Sequence, residues 1–329
     1  MSGEVWVWAE QRQGKLLDVS LELLGKGKEL SQTLGSSLAS VLIGYGIEKL
    51  APELVSHGAD KVYVLEDSHA QLYEPNLYAK LLADLAGSNE PEIILVGATT
   101  LGGEISAAAG ARLNTGVTAH CIDLYISKEL RLIQVVPWVD NTVMEIICRR
   151  NPQIATAKPG VFLMPQRVES REGEVIRIPF EAEAEDPRVR TVEVNEEKPS
   201  GVPLEAADII VAGGWGLHSM GGFEPVKKLA GILGAAVGGT RPAVDREWIP
   251  QDSMIGQSGK TVRPELFLSI GASGAMHYTT GFSRSKVVMA VDRNPKAPIF
   301  DMADVGIVGD LEDILPCLIE EFRQACKAG

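Results

Sequence analysis

The chain has 329 residues, 45% apolar and 23% charged, which is about two domains at roughly 150 residues each. That balance is globular and excludes a disordered or fibrous protein. Lys+Arg number 31 against 44 Asp+Glu, a net charge of −13, and so acidic a chain is ill suited to wrapping nucleic acid or lying on an anionic membrane.

Val5–Ala9 opens as a strand. Val19–Gln32 follows as a helix, with apolar residues at 19, 21, 23, 24 and 30. Ser40–Gly44 reads as a strand, Ile47–Val55 as a short helix and Lys61–Leu65 as the next strand. Tyr73–Leu85 is helical, with Leu72, Leu77, Leu81, Leu82 and Leu85 on one face. Glu92–Gly97 is a continuously apolar strand, as in a parallel sheet covered on both faces. Ile105–Leu113 is a helix. This alternation predicts βαβ units and a parallel sheet. The rhythm then changes. Val117–Ile126, Leu130–Trp138, Val143–Cys148 and Ile154–Ala157 read as consecutive strands, expected as antiparallel additions to the sheet or a lobe beside it.

Residues 181–200 are acidic and polar, with one short strand expected at Val189–Val194. A linker over about 195–206 divides a domain of residues 1–200 from one of residues 201–329. The βα rhythm resumes with a strand at Asp208–Gly213, a helix at Phe223–Leu233 and strands at Ala235–Gly238, Leu266–Ile270, Lys286–Val291 and Val305–Val308. A closing helix carries apolar residues at 311, 314, 315, 318, 319 and 322, with Asp310 at its N-cap. The predicted fold is α/β: two doubly wound domains, the first Rossmann-like with added antiparallel strands.

Cys121, Cys148, Cys317 and Cys326 have no metal-site spacing. They predict reduced thiols and neither zinc nor an iron–sulfur cluster. The apolar run Ile93–Val96 is far short of the roughly 20 residues that cross a bilayer. Met1–Trp6 lacks the basic-then-apolar order of a signal peptide. A cytoplasmic protein with no direct membrane insertion is expected.

Ligands of open parallel sheets bind beyond the carboxyl ends of the strands. Three glycine-rich turns cluster there: Gly213–Gly216, Gly256–Thr261 and Gly271–Gly274. Glycine admits backbone N–H groups close to a phosphate, so each turn suits a pyrophosphate, and a plain tight turn explains each as well. The first departs from a dinucleotide fingerprint at Ser219, and the second from a P-loop at Met254. No hydrolase elbow or His-Glu-x-x-His occurs. Arg241, Lys260 and Arg263 bring positive charge near these turns.

A longer series is more specific. Ala236-Val-Gly-Gly-Thr-Arg-Pro-Ala-Val-Asp245, Gly256-Gln-Ser-Gly-Lys-Thr-Val-Arg-Pro-Glu-Leu266, Gly271-Ala-Ser-Gly274 and Asn294–Phe300 through Ala303-Asp304 to Asp310 resemble, in order and spacing, the electron transfer flavoprotein alpha subunit (FixB) family. Gly97-Ala-Thr-Thr100 and Ala155–Gly160 extend a weaker resemblance over the first domain. The resemblance implies a FAD-binding, DHS-like second domain and a heterodimer with an electron transfer flavoprotein beta subunit. It implies an electron carrier with no catalytic or metal-binding residue in this chain, and leaves open an NADH-oxidising bifurcating activity that would need the beta subunit. Its FAD would carry electrons between a redox partner and an acyl-CoA dehydrogenase or similar flavoenzyme of fatty acid β-oxidation. In a bifurcating form the complex would use NADH and ferredoxin.

By the same resemblance, Arg241 lies near the isoalloxazine ring, with Thr240 before it. Ser258 contacts the flavin edge near N5, within the loop of Ile255, Gly256, Gln257 and Thr261. Ser273, Gly274 and Ala275 contact the pyrophosphate and ribityl region, and Met276 follows them as a further cofactor-binding residue. Asp292, Asp310 and Leu311 lie toward the adenosine. Trp215 stands where the family has an arginine contacting phosphate, and His277-Tyr278 where it has Gln-His, so the flavin potential is expected to differ. Two alternatives stay open: an NAD-dependent dehydrogenase with its own substrate, and a non-redox assembly protein retaining the fold.

Overall fold

The computed structural model describes residues 3–138, 142–180, 191–194 and 202–328. The chain divides into two compact units, Met1–Asn195 and Glu196–Gly329.

In the first unit, β1 (Val5–Trp8) leads through a two-strand hairpin, β2 (Gln11–Arg12) and β3 (Lys15–Leu16), to α1 (Asp18–Leu34). Then come β4 (Leu38–Gly44), α2 (Ala51–Ser56), β5 (Lys61–Glu66), α3 (Pro75–Asn89), β6 (Ile93–Gly97) and α4 (Thr100–Arg112). The unit is completed by β7 (Val117–Cys121), β8 (Asp123–Ile126), β9 (Leu132–Pro137), β10 (Val143–Ile147), β11 (Gln153–Ala157) and β12 (Glu174–Arg177). Seven strands form one sheet in the order β12-β5-β4-β1-β6-β11-β7, every pair parallel. Both faces are covered, which is why β1 is apolar at every position: Val5 and Val7 pack on one side, Trp6 and Trp8 on the other.

The change of rhythm after α4 is real, but it is sorted between two sheets. Strands β8, β9 and β10 make a separate antiparallel sheet. Strands β7 and β11, expected as antiparallel additions, instead join the parallel sheet. The single expected strand Val117–Ile126 is broken near His120, whose φ of 60° lies in the left-handed region. Beyond the break, the Ile122 amide donates to Val135 and starts the second sheet.

Three further expectations are corrected. Helix α3 begins at Pro75, capped by the Glu74 carboxylate, which accepts from the Asn76 and Leu77 amides. Leu72 therefore precedes the helix and is exposed. The strand expected at Val189–Val194 is absent over 191–194, and 189–190 lie outside the described residues. The parallel edge is closed by β12, which sequence reading passed over: it is short and largely exposed, with only Val175-Ile176 between two charged residues. Of the expected linker, 195–201 lies outside the described residues, as does the acidic stretch 181–190. Leu204 is buried in the core of the second unit.

The second unit comprises β13 (Ile209–Gly213), α5 (Glu224–Leu233), β14 (Ala236–Gly239), α6 (Arg241–Asp245), β15 (Leu266–Ile270), α7 (Met276–Thr279), β16 (Val287–Asp292), β17 (Val305–Val308) and α8 (Leu311–Ala328). Its five strands are all parallel, in the order β14-β13-β15-β16-β17. The order reverses between β13 and β15, which makes the crevice beyond their carboxyl ends the place for a ligand. Among the described residues, no helix is long and apolar enough to cross a membrane.

Candidate functional site

Because the five strands are parallel, every turn that follows one of them lies at the same edge of the sheet. Trp215 follows β13, Thr240 and Arg241 follow β14, and Ser273–His277 follow β15. Asp292 ends β16, and Asp310 lies between β17 and α8. The loop of Ile255–Thr261 follows no strand, yet it is brought to this edge. The Ile255 amide donates to Gly239 at the end of β14 (2.9 Å). The Gln257 amide donates to His277 (2.6 Å) and the Val262 amide to Gly281 (2.8 Å).

The glycines are explained by close approach. The Gly214 and Gly216 amides donate to the carbonyls of Ile270 and Gly271 (2.9 and 2.8 Å), joining the turns after β13 and β15 across the crevice. A Cβ on Gly214 would stand 2.5 Å from the Gly271 oxygen, and one on Gly216 2.9 Å from the Gly271 Cα. These glycines are thus required by loop-to-loop packing alone. Gly256, at φ 141°, would drive a Cβ into the His277 carbonyl.

Side chains at this edge differ in how far their polar groups are occupied. Thr240 Oγ1 is buried without a hydrogen-bond partner, an uncommon condition for a buried hydroxyl. Ser258 and Ser273 are exposed. His277 Nδ1 is bonded to Gln257 Oε1 (2.5 Å). Arg241 Nε is paired with Asp245 (3.2 Å) and Lys260 with Glu205 (2.9 Å). The Asp292 carboxylate accepts from the Asn294 amide (2.8 Å). The Asp310 carboxylate accepts from the Glu312 amide (3.0 Å) and caps α8. Thr261 and Met276 are half-buried.

Tyr278 does not join this group. Its ring packs against Phe282 and Phe267, and its phenol shares a hydrogen bond with Ser269 (3.1 Å) inside the core. Burial pushes that phenol well above the ordinary tyrosine range. The side chains of Ile255 and Leu311 are likewise buried in the core. The structure thus places these three side chains in the core.

Trp215 has company that sequence reading did not find. Its ring stacks with His218 (centroids 5.1 Å, 17°) and Trp248 (6.2 Å, 26°). The Arg246 guanidinium carbon stands 4.8 Å from the Trp215 ring centroid. No motif spans these four positions; only the short α6 and the turn after β13, set side by side, bring them together.

Compared with known proteins, residues 5–183 match the model described as "Electron transfer flavoprotein domain", and residues 203–283 match "Electron transfer flavoprotein FAD-binding domain". The chain belongs to the electron transfer flavoprotein alpha family. It is 41% identical over 323 residues to "Electron transfer flavoprotein subunit alpha" of Thermoanaerobacterium thermosaccharolyticum, covering 98% of each chain. It is 40% identical to "Protein FixB" of Azotobacter vinelandii, covering 99% of this chain and 93% of that one. It is 34% identical to "Acryloyl-CoA reductase electron transfer subunit beta" of Anaerotignum propionicum, covering 99% and 97%. Alpha subunits of this family pair with a beta subunit. FAD is the cofactor of the second domain of an electron transfer flavoprotein alpha subunit. The residues at this edge fit such a group. Thr240 offers an orphaned hydroxyl, Ser258 and Ser273 offer exposed ones, and Gln257 offers an amide whose oxygen is already engaged by His277.

Proposed function

We propose that the chain is the alpha subunit of a heterodimeric electron carrier whose FAD lies at the carboxyl edge of the second sheet. The observation that carries this reading is the gathering of Thr240, Arg241, Gln257, Ser258, Ser273 and His277 by the ends of β14 and β15 and one docked loop. Bound FAD would supply the electron-accepting and electron-donating chemistry, and the protein would orient and tune it. The orphaned Thr240 hydroxyl would hydrogen-bond the flavin, and Arg241 would hold positive charge near its ring. His277 would hold the Gln257 amide so that its NH₂ faces outward as a donor. Ser273, Gly274, Ala275 and Met276 would follow the ribityl and phosphate chain, with Asp292 and Asp310 toward the adenosine. Thr261 would support the flavin loop.

The donor would be an acyl-CoA dehydrogenase or a similar flavoenzyme of fatty acid β-oxidation. A relative named as the electron transfer subunit of an acryloyl-CoA reductase supports a partner that acts on an acyl-CoA thioester, there one that takes electrons up. Oxidation of NADH with bifurcation toward ferredoxin would require the whole dimer. The deciding experiment is co-expression with a beta subunit of the family, followed by the absorption spectrum of the purified complex with and without NADH. Visible flavin bands that an acyl-CoA dehydrogenase and its substrate bleach are expected. Bleaching by NADH alone would favour the bifurcating form. A colourless complex that cannot be reconstituted with FAD would overturn the assignment and leave the non-redox alternative.

A further inference from the structure

Trp215 begins the turn after β13, beside the crevice where the strand order reverses. Its indole is 46% exposed, yet it is held in place by near-parallel stacking on His218 and Trp248. Trp248 in turn packs against Phe223 in the core (6.0 Å). Arg246, which closes α6, turns its guanidinium back over the Trp215 ring at 4.8 Å, within the range of a cation–π contact.

The charge of Arg246 is otherwise unmatched. Arg241, on the same short helix, is paired with Asp245, and Lys260 is paired with Glu205. Among the described residues Arg246 makes no ion pair, in a protein of net charge −13. An aromatic face fixes a guanidinium in position but accepts none of its five N–H donors. Arg246 is therefore a placed cation with its hydrogen-bonding fork open, the form best suited to bidentate contact with a phosphate. Arg293 and Lys296 also lack ion pairs among the described residues, but they follow β16, one strand beyond the crevice.

We propose that Arg246, positioned by Trp215, is a binding residue for the pyrophosphate of the dinucleotide. The proposal rests on the reading that FAD binds at this edge. Trp215 is on this account a positioning residue, and it acts through Arg246.

The test uses the heterodimer, stripped of flavin and titrated with FAD and with riboflavin, which has no phosphate. Arg246→Ala should weaken FAD binding about 10- to 100-fold, as expected for loss of a charge-assisted contact, and leave riboflavin binding unchanged. Trp215→Ala should reproduce most of that loss, whereas Trp215→Phe, which keeps a ring face, should not. The double variant Trp215→Ala/Arg246→Ala should bind FAD no worse than Arg246→Ala alone, since both act on one contact. Arg246 is exposed, so its replacement leaves folding intact. FAD affinity within about twofold of wild type in Arg246→Ala would overturn the proposal, because a phosphate contact is worth more than that. So would equal losses for FAD and riboflavin, which would place Arg246 at the ring. A wild-type complex that takes up no FAD overturns the proposed function as well. One that binds FAD tightly, beside an unaffected Arg246→Ala, overturns the role of Arg246 alone.

Discussion

The ring of Tyr278 is enclosed by Phe267 and Phe282, while His277, one residue earlier, faces the loop of Ile255–Thr261 and holds Gln257. A short helical turn sends consecutive side chains roughly 100° apart, and here that rotation separates core from site. Tyr278→Phe should leave FAD affinity unchanged and lower the unfolding free energy by about 1–2 kcal/mol, because Ser269 is left buried without its partner. His277→Ala should do the reverse: about fivefold weaker FAD binding, as for one lost positioning hydrogen bond, with an unchanged melting temperature of the flavin-free complex. Flavin titration and denaturant melts of the two variants check both halves. Sequence comparison placed both residues at the cofactor, because adjacency along the chain does not reveal which side of the turn each occupies.

At the scale of elements, two positions give measurable consequences. Asp310 caps α8 through the Glu312 amide, and Asp310→Ala should cost about 1 kcal/mol, read as a lowered melting temperature of the second unit. This cap was legible in the sequence, since an acid directly before an apolar helical stripe is a strong start signal. In α3, the buried Tyr78 phenol donates to the Ala70 carbonyl (2.9 Å), and burial pushes its pKa up to about 12. The unfolded chain releases that proton near 10. Between those values the unfolded state binds fewer protons than the folded one, so stability falls as pH rises, by about 1.4 kcal/mol per pH unit. Below pH 10 the contribution is fully present. Tyr78→Phe should remove this part of the alkaline slope, checked by thermal melts across pH 9–12 (an approximate window set by the two pKa values).

At the scale of the whole molecule, FAD links site to stability. A ligand that binds only the folded state stabilises it by about 2.7 kcal/mol at a hundredfold excess over its Kd. Stripping FAD from the complex should therefore lower the melting temperature of the second unit by on the order of 10 °C, and adding FAD back should restore it. Calorimetry of the holo, stripped and reconstituted complex checks this, with the first unit, Met1–Asn195, as internal reference. An unchanged transition would mean that the flavin contacts at this edge are weak.

Much of this architecture was open to reading from the chain itself. Strands such as Ile93–Gly97 and Leu266–Ile270 are buried on both faces, and a local apolar run records that condition directly. The amphipathic stripe of α8 and the ordered glycine series did the same for the closing helix and the family. What the tertiary structure alone decided involves partners distant in sequence. Strand β12 is held by its pairing with β5, and its own apolar signal is no more than Val175-Ile176. Strand β7 pairs with β11 in the parallel sheet, while the backbone turn at His120 passes the following residues to the antiparallel one, which composition does not encode. Arg246 acquires its place only because the end of α6 lies beside the turn after β13, where the ring of Trp215 can hold it. Periodicity reports what each residue needs from its own element; packing between elements determines which residues meet.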